Sequence, residues 1–349
     1  MQRSGGPVVV GIDNGGTSNN TTILDASGRF IVDRLVETPS LVTEGPKVAI
    51  EAMAEALDNV LRLTGTPPSA VRGIGLDTPG PASADGVISS KGATNFAQPA
   101  WRGFDVRGAL EARLGLPVVY NNDANAAALY THHIRYGAEA AGHSSIAVIV
   151  GTGLGGGVIE SGRVVRGVAG MAGELGHVRI PLHGLLAEGQ LLPTCNCGFV
   201  GDAESIASLT GIERNLLPYW LTRFENHELG RVESPKEAAK LVRAYGERED
   251  PLALAIFEQQ AMAIGRLFSI AASYTDPDTY FLGGGVVETT PKFRQWFLAR
   301  VREHTDLREE QARVAAFALV PDLDMAGARG AAIAALAALQ APVRAATPL

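Results

Sequence analysis

The chain is poor in cysteine: it has only Cys195 and Cys197, separated by a single residue. Such a pair cannot build the disulfide framework of a small secreted protein, so we expect a cytoplasmic location. No apolar run approaches the roughly 18 residues that a membrane span needs. The N-terminal residues pass directly into the strand-like Val8-Val9-Val10, which predicts no secretory signal. We therefore expect no membrane partner.

Positive charge is also scarce. There are 30 Lys and Arg against 37 Asp and Glu, a formal net charge of −7, which argues against nucleic acid as a partner. The length of 349 residues predicts about two domains. With 46% hydrophobic and 19% charged residues, the composition is typical of a compact α/β protein. The 41 glycines are clustered, which indicates close approach of backbone to a ligand.

The stretch from Val118 to Asn125 predicts a buried strand that runs directly into a helix. Asp123 then lies at the carboxyl end of the strand, where α/β sheets bind their ligands. The alternative interpretation is a helix cap, in which the carboxylate only accepts backbone N–H bonds.

The first glycine turn lies near the N-terminus. A strand at 8–13 leads into Asn14-Gly15-Gly16-Thr17, and strands at 21–25 and 30–32 are expected to follow. The turn lacks the lysine of a P-loop. Its amides and the Thr17 hydroxyl could instead face phosphate oxygens, with Asp13 holding Mg²⁺ through water. An ordinary tight hairpin turn is the alternative.

The same pattern recurs 140 positions later. The apolar strand 145–150 enters Gly151-Thr152-Gly153-Leu154-Gly155-Gly156-Gly157, and a further hairpin follows. This repetition predicts two similar domains that grip one polyphosphate. A literal G-x-G-x-x-G is present, but a dinucleotide fingerprint must open a helix, and here a strand is expected.

The remaining pattern alternates helices and strands, as in an α/β fold. The charged run 247–250 is predicted to be a solvated loop. Helical spacing covers 44–64, 105–114, 124–137, 252–273, 291–304 and 326–340, and strands are expected at 71–76, 86–88, 279–282 and 313–319.

The ordered set of motifs resembles the ROK family of sugar kinases and sugar-responsive repressors, which has the actin-like ATPase fold. The matching motifs are Asp13-x-Gly15-Gly16-Thr17, Asn122-Asp123-Ala124-Asn125, Gly151-Thr152-Gly153-x-Gly155-Gly156-Gly157, Glu174-x-Gly176-His177, Cys195-x-Cys197-Gly198-x-x-Gly201-x-x-Glu204 and Leu282-Gly283-Gly284-Gly285. The resemblance implies two ribonuclease H-like α/β domains with a ligand cleft between them. They would cover 1–122 and 123–327, with a last helix at about 328–349 packing back on the first.

The resemblance also implies roles for individual residues. Asp123 would be the catalytic base on the 6-hydroxyl of a hexose. The other sugar hydroxyls would be bound by Asn95, Asn122, Glu174, His177 and Glu204. The ATP phosphates would contact Gly15, Gly16, Thr17, Thr152 and Gly153, with Mg²⁺ near Asp13, and the adenosine would contact Gly283, Gly284 and Gly285.

A structural zinc is implied by the same resemblance. His177, Cys195 and Cys197 match ligand positions, whereas the third cysteine position holds Asp202. A carboxylate oxygen can ligate Zn²⁺, so the choice is between a Cys₂-His-Asp site and a decayed site pinned by hydrogen bonds. We expect loss of zinc to impair sugar binding more than ATP binding.

The leading interpretation is an ATP-dependent hexose kinase, with glucose as the favoured substrate and a homodimer or dimer of dimers as the assembly. Kinases for an N-acetylated amino sugar or a cyclitol are the alternatives. A sugar-sensing repressor would need a helix-turn-helix ahead of residue 13, and we expect none. A chaperone or filament ATPase would not need Glu174, His177 and Glu204.

Overall fold

The computed structural model describes residues 6–80, 82–89 and 96–340. This part of the chain divides into two compact units. The first unit contains the residues up to Thr131, the segment Arg166–Met171 and the residues from Asp322 onward. The second unit contains His132–Val165 and Ala172–Pro321.

The first unit is built on a five-stranded mixed sheet of order β3-β2-β1-β4-β5. Strand β1 pairs antiparallel with β2 and parallel with β4, and β5 lies parallel to β4. The strands are β1 (Val8–Asn14), β2 (Ser18–Asp25), β3 (Val36–Pro39), β4 (Val71–Thr78) and β5 (Val118–Asn122).

The second unit repeats this topology. Its sheet has the order β10-β9-β6-β7-β8, again with an antiparallel three-strand meander on one side and two parallel strands on the other. The strands are β6 (Ser145–Val150), β7 (Leu154–Glu160), β8 (Arg163–Val164), β9 (Thr279–Gly283) and β10 (Ala316–Leu319). The α/β class and the internal repetition predicted from the glycine turns are therefore confirmed.

Helices cover the sheets and connect their parallel strands. Within the described ranges, none of them combines the length and the apolar composition that crossing a bilayer requires. The helices are α1 (Pro46–Thr64), α2 (Val106–Leu114), α3 (Asp123–Tyr136), α4 (Glu204–Ala207), α5 (Leu209–Gly211), α6 (Leu217–Arg223), α7 (Pro235–Gly246), α8 (Pro251–Thr275), α9 (Pro291–Glu303), α10 (Glu309–Val314) and α11 (Leu323–Gln340).

Helix α11 packs directly on β1 and β4 of the first unit. The approach is close because the facing strand positions are glycines. A Cβ on Gly75 would lie 1.9 Å from the carbonyl oxygen of Ala331, and one on Gly11 would lie 1.9 Å from that of Ala328. Any larger side chain there would push the helix off the sheet. The domain boundaries at 122/123 and 327/328 stay predictions, and residues 341–349 lie outside the described part.

Three strand predictions were wrong. Residues 30–32 contribute only a bridge from Phe30 to Leu24, and beyond it the carbonyls of Val32 and Asp33 accept from Arg329. Residues 86–88 form isolated bridges rather than a strand. The predicted strand 313–319 begins only at Ala316, because the preceding residues complete helix α10.

A buried histidine in the second unit makes the stability of the fold depend on pH. His132 is fully buried, with Nδ1 2.8 Å from the Ser145 hydroxyl and Nε2 2.9 Å from the Ala140 carbonyl oxygen. Burial lowers the pKa of His132. The unfolded chain therefore binds a proton that the folded chain rejects, and the free energy of unfolding must fall as the pH falls below about 6.5.

We predict that His132→Gln removes part of this pH dependence. In the wild type, His132 contributes at most about 1.4 kcal/mol of lost stability per unit of pH below the unfolded pKa. Urea denaturation at several pH values between 5 and 8 measures this slope. The exposed His183 supplies the matched control, His183→Gln. Identical slopes for wild type and His132→Gln would contradict the prediction.

Candidate functional site

The carboxyl ends of the three parallel strands of the first unit bring polar side chains to one edge of the sheet. Asp13, the last residue but one of β1, lies opposite Asp77 of β4, and Thr78 of β4 is paired with Asn122 of β5. Asp123 follows directly as the first residue of α3. This is the edge at which α/β sheets bind ligands, and β5 and α3 have the arrangement predicted from the stretch around Asp123.

Asn122 caps the start of helix α3. The Asn122 side-chain oxygen accepts from the Asn125 amide at 2.8 Å, which is the bond of an N-cap. Asp123 is exposed, and its Oδ1 accepts from the adjacent Ala124 amide at 2.7 Å. The positive end of the helix dipole favours a carboxylate at this place. Asp123 thus lies at the surface at the first residue of the helix.

Asp13 is positioned by the polar start of β2. Asn20 donates to Asp13 Oδ2 at 3.2 Å, and Asn14 donates to Asn19 Oδ1 at 2.6 Å across the same hairpin. Two asparagines in a sheet interior are unusual, and here they orient the carboxylate and the chain that enters the turn. The turn itself, Gly15 to Thr17, closes through the Gly15 amide and the Ser18 carbonyl at 2.9 Å.

Asp77 is a member of this cluster that the motifs did not reveal. It is fully buried, and no donor from residues 6–80, 82–89 or 96–340 reaches either of its oxygens. Burial raises the pKa of Asp77 well above its usual value, and the nearby Asp13 and Asp123 raise it further. The available signal was an aspartate near the carboxyl end of the mostly buried strand Val71–Thr78.

A second set of polar groups that the sequence analysis missed lines a small cleft beside Asn122. Arg166 donates to the Asn121 side-chain oxygen at 2.8 Å, and burial lowers the pKa of its guanidinium. Asn125 is buried in the same cleft, next to Gly170. No local pattern could place Arg166 here, because 45 positions separate it from Asn121 along the chain.

The glycine turn of the second unit joins two antiparallel strands. Val150 pairs with Leu154 across Gly151, Thr152 and Gly153, so the G-x-G-x-x-G opens a strand and the dinucleotide interpretation is excluded. The carbonyl of Gly151 accepts from the Leu209 amide at 3.0 Å, which fixes the turn against α5.

A cavity of about 320 Å³ adjoins this turn. Gly151 and Thr152 line one part of it, and Gly285 of the third glycine cluster lines another. Lys240 and Arg243 of α7 contribute two positive charges, and Arg243 donates to the Gly285 carbonyl oxygen. The segment 211–251, to which the sequence assigned no role, therefore supplies a basic wall of the cavity, formed by Lys240 and Arg243. In the charged run 247–250, residues 247–249 are exposed and lie outside the lining of that cavity. Asp250 caps helix α8.

Four side chains of the second unit bring potential metal-ligand atoms together. The ligand atoms of His177, Cys195, Cys197 and Asp202 all lie within 4.8 Å of one another. The two sulfurs are 3.2 Å apart, and the His177 Nδ1 is 3.3 Å from Asp202 Oδ2. The Ser205 amide donates to Asp202 Oδ1 at 2.9 Å, which leaves Oδ2 directed at the cluster.

The donor set fits zinc. Bonds of about 2.0–2.3 Å make a tetrahedron with edges of roughly 3.3–3.8 Å, and the four ligand atoms lie within 4.8 Å of one another, so small side-chain adjustments would complete the site. Burial raises the pKa of the Cys195 thiol, so the metal-free cluster keeps its proton. Zn²⁺ would displace that proton and compensate the buried Asp202 carboxylate.

Glu204 connects this cluster to the glycine turn. Its Oε1 accepts from the Cys195 thiol at 3.3 Å and its Oε2 from the Leu154 amide at 2.8 Å. Glu174 and His177 flank a short helical turn whose Gly176 packs against Leu154, where a Cβ would lie 2.3 Å from the carbonyl oxygen.

The structure thus gathers the predicted residues into two sets. One set lies in the first unit and consists of Asn122, Asp123, Asp13 and the Gly15 turn. The other set adjoins the second glycine turn and consists of Glu174, His177 and Glu204. Asn95 lies outside the described residues.

The model of the ROK family matches residues 9–338 of the chain. The chain belongs to the ROK family. The fold of two duplicated α/β units is accordingly the actin-like ATPase fold that the motifs implied.

Several ROK relatives are named for sugar kinases. The chain is 34% identical to a glucokinase of Halalkalibacterium halodurans over 79% of this chain and 80% of that protein. It is 30% identical to an N-acetyl-D-glucosamine kinase of Erwinia tasmaniensis over 79% and 83%.

Two solved structures have the same fold. A ROK hexokinase of Thermus thermophilus has a TM-score of 0.73 and 31% identity, covering 95% of this chain and 99% of its own. A ROK glucokinase of Streptomyces griseus, in complex with glucose and AMPPNP, has a TM-score of 0.62 and 26% identity, covering 94% and 99%.

Proposed function

We propose that this ROK protein is an ATP-dependent sugar kinase that phosphorylates the 6-hydroxyl of a hexose, with glucose as the favoured substrate. The observation that carries the proposal is Asp123, an exposed carboxylate at the junction of β5 and α3, at the edge where α/β sheets bind ligands. The similarity to glucokinases over about four fifths of the chain supports it.

Asp123 serves as the general base. A carboxylate beside the reacting hydroxyl orients it for in-line attack on the γ-phosphorus and accepts its proton late in the transfer. The proton moves from the sugar oxygen to the Asp123 oxygen, while the bond between the γ-phosphorus and the bridging oxygen of ADP breaks.

The nucleotide binds to the second unit in this proposal. The cavity beside Gly151 has the size of a small ligand pocket and would take the adenosine against Gly283, Gly284 and Gly285. Thr152 and Gly153 would contact phosphates, as would Gly15, Gly16 and Thr17 of the first unit. Lys240 and Arg243 supply positive charge near the same cavity.

Mg²⁺ would be held near Asp13. Asp13 offers the hard oxygen ligand that Mg²⁺ prefers, and a cation held there would supply positive charge for the phosphates. Asn20 keeps that carboxylate in a fixed orientation.

The sugar would be bound by polar side chains that match a neutral, hydroxyl-rich ligand. Glu174 and His177 are half-buried on one short turn, which suits groups that exchange water for hydroxyls. Asn95, Asn122 and Glu204 are assigned by the family resemblance. The oxygens of Asn122 and Glu204 already accept backbone bonds, so their contribution includes fixing the chain around the site.

An N-acetylated amino sugar is the second candidate, because relatives at 30% identity are named N-acetyl-D-glucosamine kinases. A screen of ADP release with glucose, mannose, N-acetylglucosamine and a cyclitol distinguishes these substrates.

The cytoplasmic location and the homodimer or dimer of dimers stay predictions.

We predict that Asp123→Asn lowers kcat by at least about 100-fold, the contribution typical of a general base. Asn fills the same volume but cannot accept the proton, so the KM for ATP should change little. Coupled ADP release with the best sugar of the screen measures both constants. Asp105→Asn, which alters another helix-start carboxylate, is the control. Near-normal turnover by Asp123→Asn would refute the assignment.

We predict that Thr152→Val weakens binding of Mg-ATP by about 10-fold, the loss expected for one hydrogen bond to a charged group. Calorimetric titration with Mg-ATP provides the measurement. Thr152→Ser, which keeps the hydroxyl, should bind normally, and Thr222→Val on exposed α6 is a second control. Equal affinities of all three variants for Mg-ATP would contradict a contact between the Thr152 hydroxyl and the phosphates and would indicate an ordinary hairpin turn.

We propose further that the His177 cluster binds one structural zinc per chain. Elemental analysis of protein purified without added metal should find about one equivalent. Cys195→Ser should lose the metal and lower the melting temperature, because the cluster fixes the loop that carries Glu204. Clearly less than one zinc, together with full activity and an unchanged melting temperature in Cys195→Ser, would show a decayed site.

A further inference from the structure

The least satisfied charge-bearing side chain at the site is Asp77. It has no exposed surface, and both of its oxygens lack a donor among the described residues. Buried polar groups are nearly always hydrogen-bonded, and a buried ionised carboxylate is costly unless a cation or donors compensate it. Asp77 therefore needs either a proton that it shares with the adjacent Asp13 or a cation.

The position of Asp77 indicates what that partner is. Asp77 and Asp13 are register partners on adjacent parallel strands, and their side chains interact. Asp13 uses Oδ2 to accept from Asn20. Beyond the effect of burial, Asp13 raises the pKa of Asp77, whereas the hydrogen bond with Asp77 lowers the pKa of Asp13, so a second negative charge on this adjacent pair is unfavourable without a cation.

Helix α11 closes the site on another side. Gly327 faces Asp13, and a Cβ at this position would lie 2.9 Å from the Asp13 Cγ. The helix thus approaches the carboxyl pair without placing a side chain over it. Small residues here preserve the position of both carboxylates at the edge of the sheet.

We propose that Asp77 and Asp13 together form a two-carboxylate site for a divalent cation, with Asp77 as a second metal-facing residue beside Asp13. The cation would be the Mg²⁺ that accompanies ATP, so this inference rests on the proposed kinase function. Mg²⁺ is typically bound by one or two carboxylates together with substrate phosphates. A divalent charge removes the repulsion between the acids and supplies the missing partner of Asp77.

A protonated Asp77 that donates to Asp13 is the competing arrangement. In that case Asp77 would position Asp13 without contacting a cation, and an asparagine amide could do the same. The two arrangements give opposite results for Asp77→Asn. The substitution keeps the volume and a donor but removes the charge.

The experiment titrates Mn²⁺, as a paramagnetic substitute for Mg²⁺, into the full-length protein with a non-hydrolysable ATP analogue. The electron paramagnetic resonance signal of free Mn²⁺ gives the Kd. We expect Asp77→Asn and Asp13→Asn each to raise this Kd at least about 10-fold, as loss of a charged ligand should. Asp25→Asn, in the same sheet but at the opposite end of β2, should leave it unchanged.

A Kd in Asp77→Asn within twofold of the wild type would overturn the proposal. If Asp77→Asn does not fold, metal-directed cleavage of the wild-type backbone provides a second test. Fe²⁺ in place of Mg²⁺, with ascorbate and peroxide, cleaves backbone close to the bound metal. Fragments ending near both residues 13 and 77, located by mass spectrometry, support the site. Cleavage near 13 without cleavage near 77 contradicts it.

Failure of this inference differs from failure of the proposed function. If the wild type phosphorylates a hexose and Asp77→Asn binds Mn²⁺ as tightly as the wild type, only the two-carboxylate site is refuted. If the wild type transfers no phosphate to any sugar of the screen, but Asp77→Asn raises the Kd for Mn²⁺, the proposed function is refuted and the cation site is supported.

Discussion

Electrostatic repulsion among the acids at one edge of the first sheet is the constraint on which much of this structure depends. Parallel pairing brings Asp13 and Asp77 side by side, and Asp123 lies close enough to raise the pKa of Asp77 further. A fold built only for stability would avoid this arrangement, because like charges in a buried place oppose folding. The arrangement becomes understandable if the edge binds a cation and a phosphate.

In the second unit, Glu204 joins two structures that would otherwise be independent. One carboxylate oxygen accepts from the thiol of the Cys loop and the other from the backbone of the glycine turn. A metal at His177 and Cys195 would therefore order the turn as well as the loop. The sequence-based expectation assigned the metal mainly to sugar binding, whereas this contact extends its influence to the phosphate-facing turn.

The two units have the same strand order, yet they have been adapted differently. In the first, glycines let α11 lie directly on the sheet, and the ligand edge carries acids. In the second, α7 adds Lys240 and Arg243 beside a cavity next to the corresponding turn. One duplicated topology thus presents an acidic edge in one unit and a basic wall in the other.

Local pattern alone determined a large part of this protein. Alternating apolar runs, glycine turns and helix periodicity predicted the duplicated α/β architecture and the strand-to-helix junction at Asp123, because those features depend on neighbours a few residues apart. The same patterns failed at 30–32, where backbone carbonyls bind Arg329, almost 300 positions away. They gave no reason to select Arg166, and the carboxylate of Asp77 within a strand was a signal that only its register with Asp13 made meaningful. Only the tertiary structure decided those contacts, since strand register and helix packing join residues that no local pattern relates.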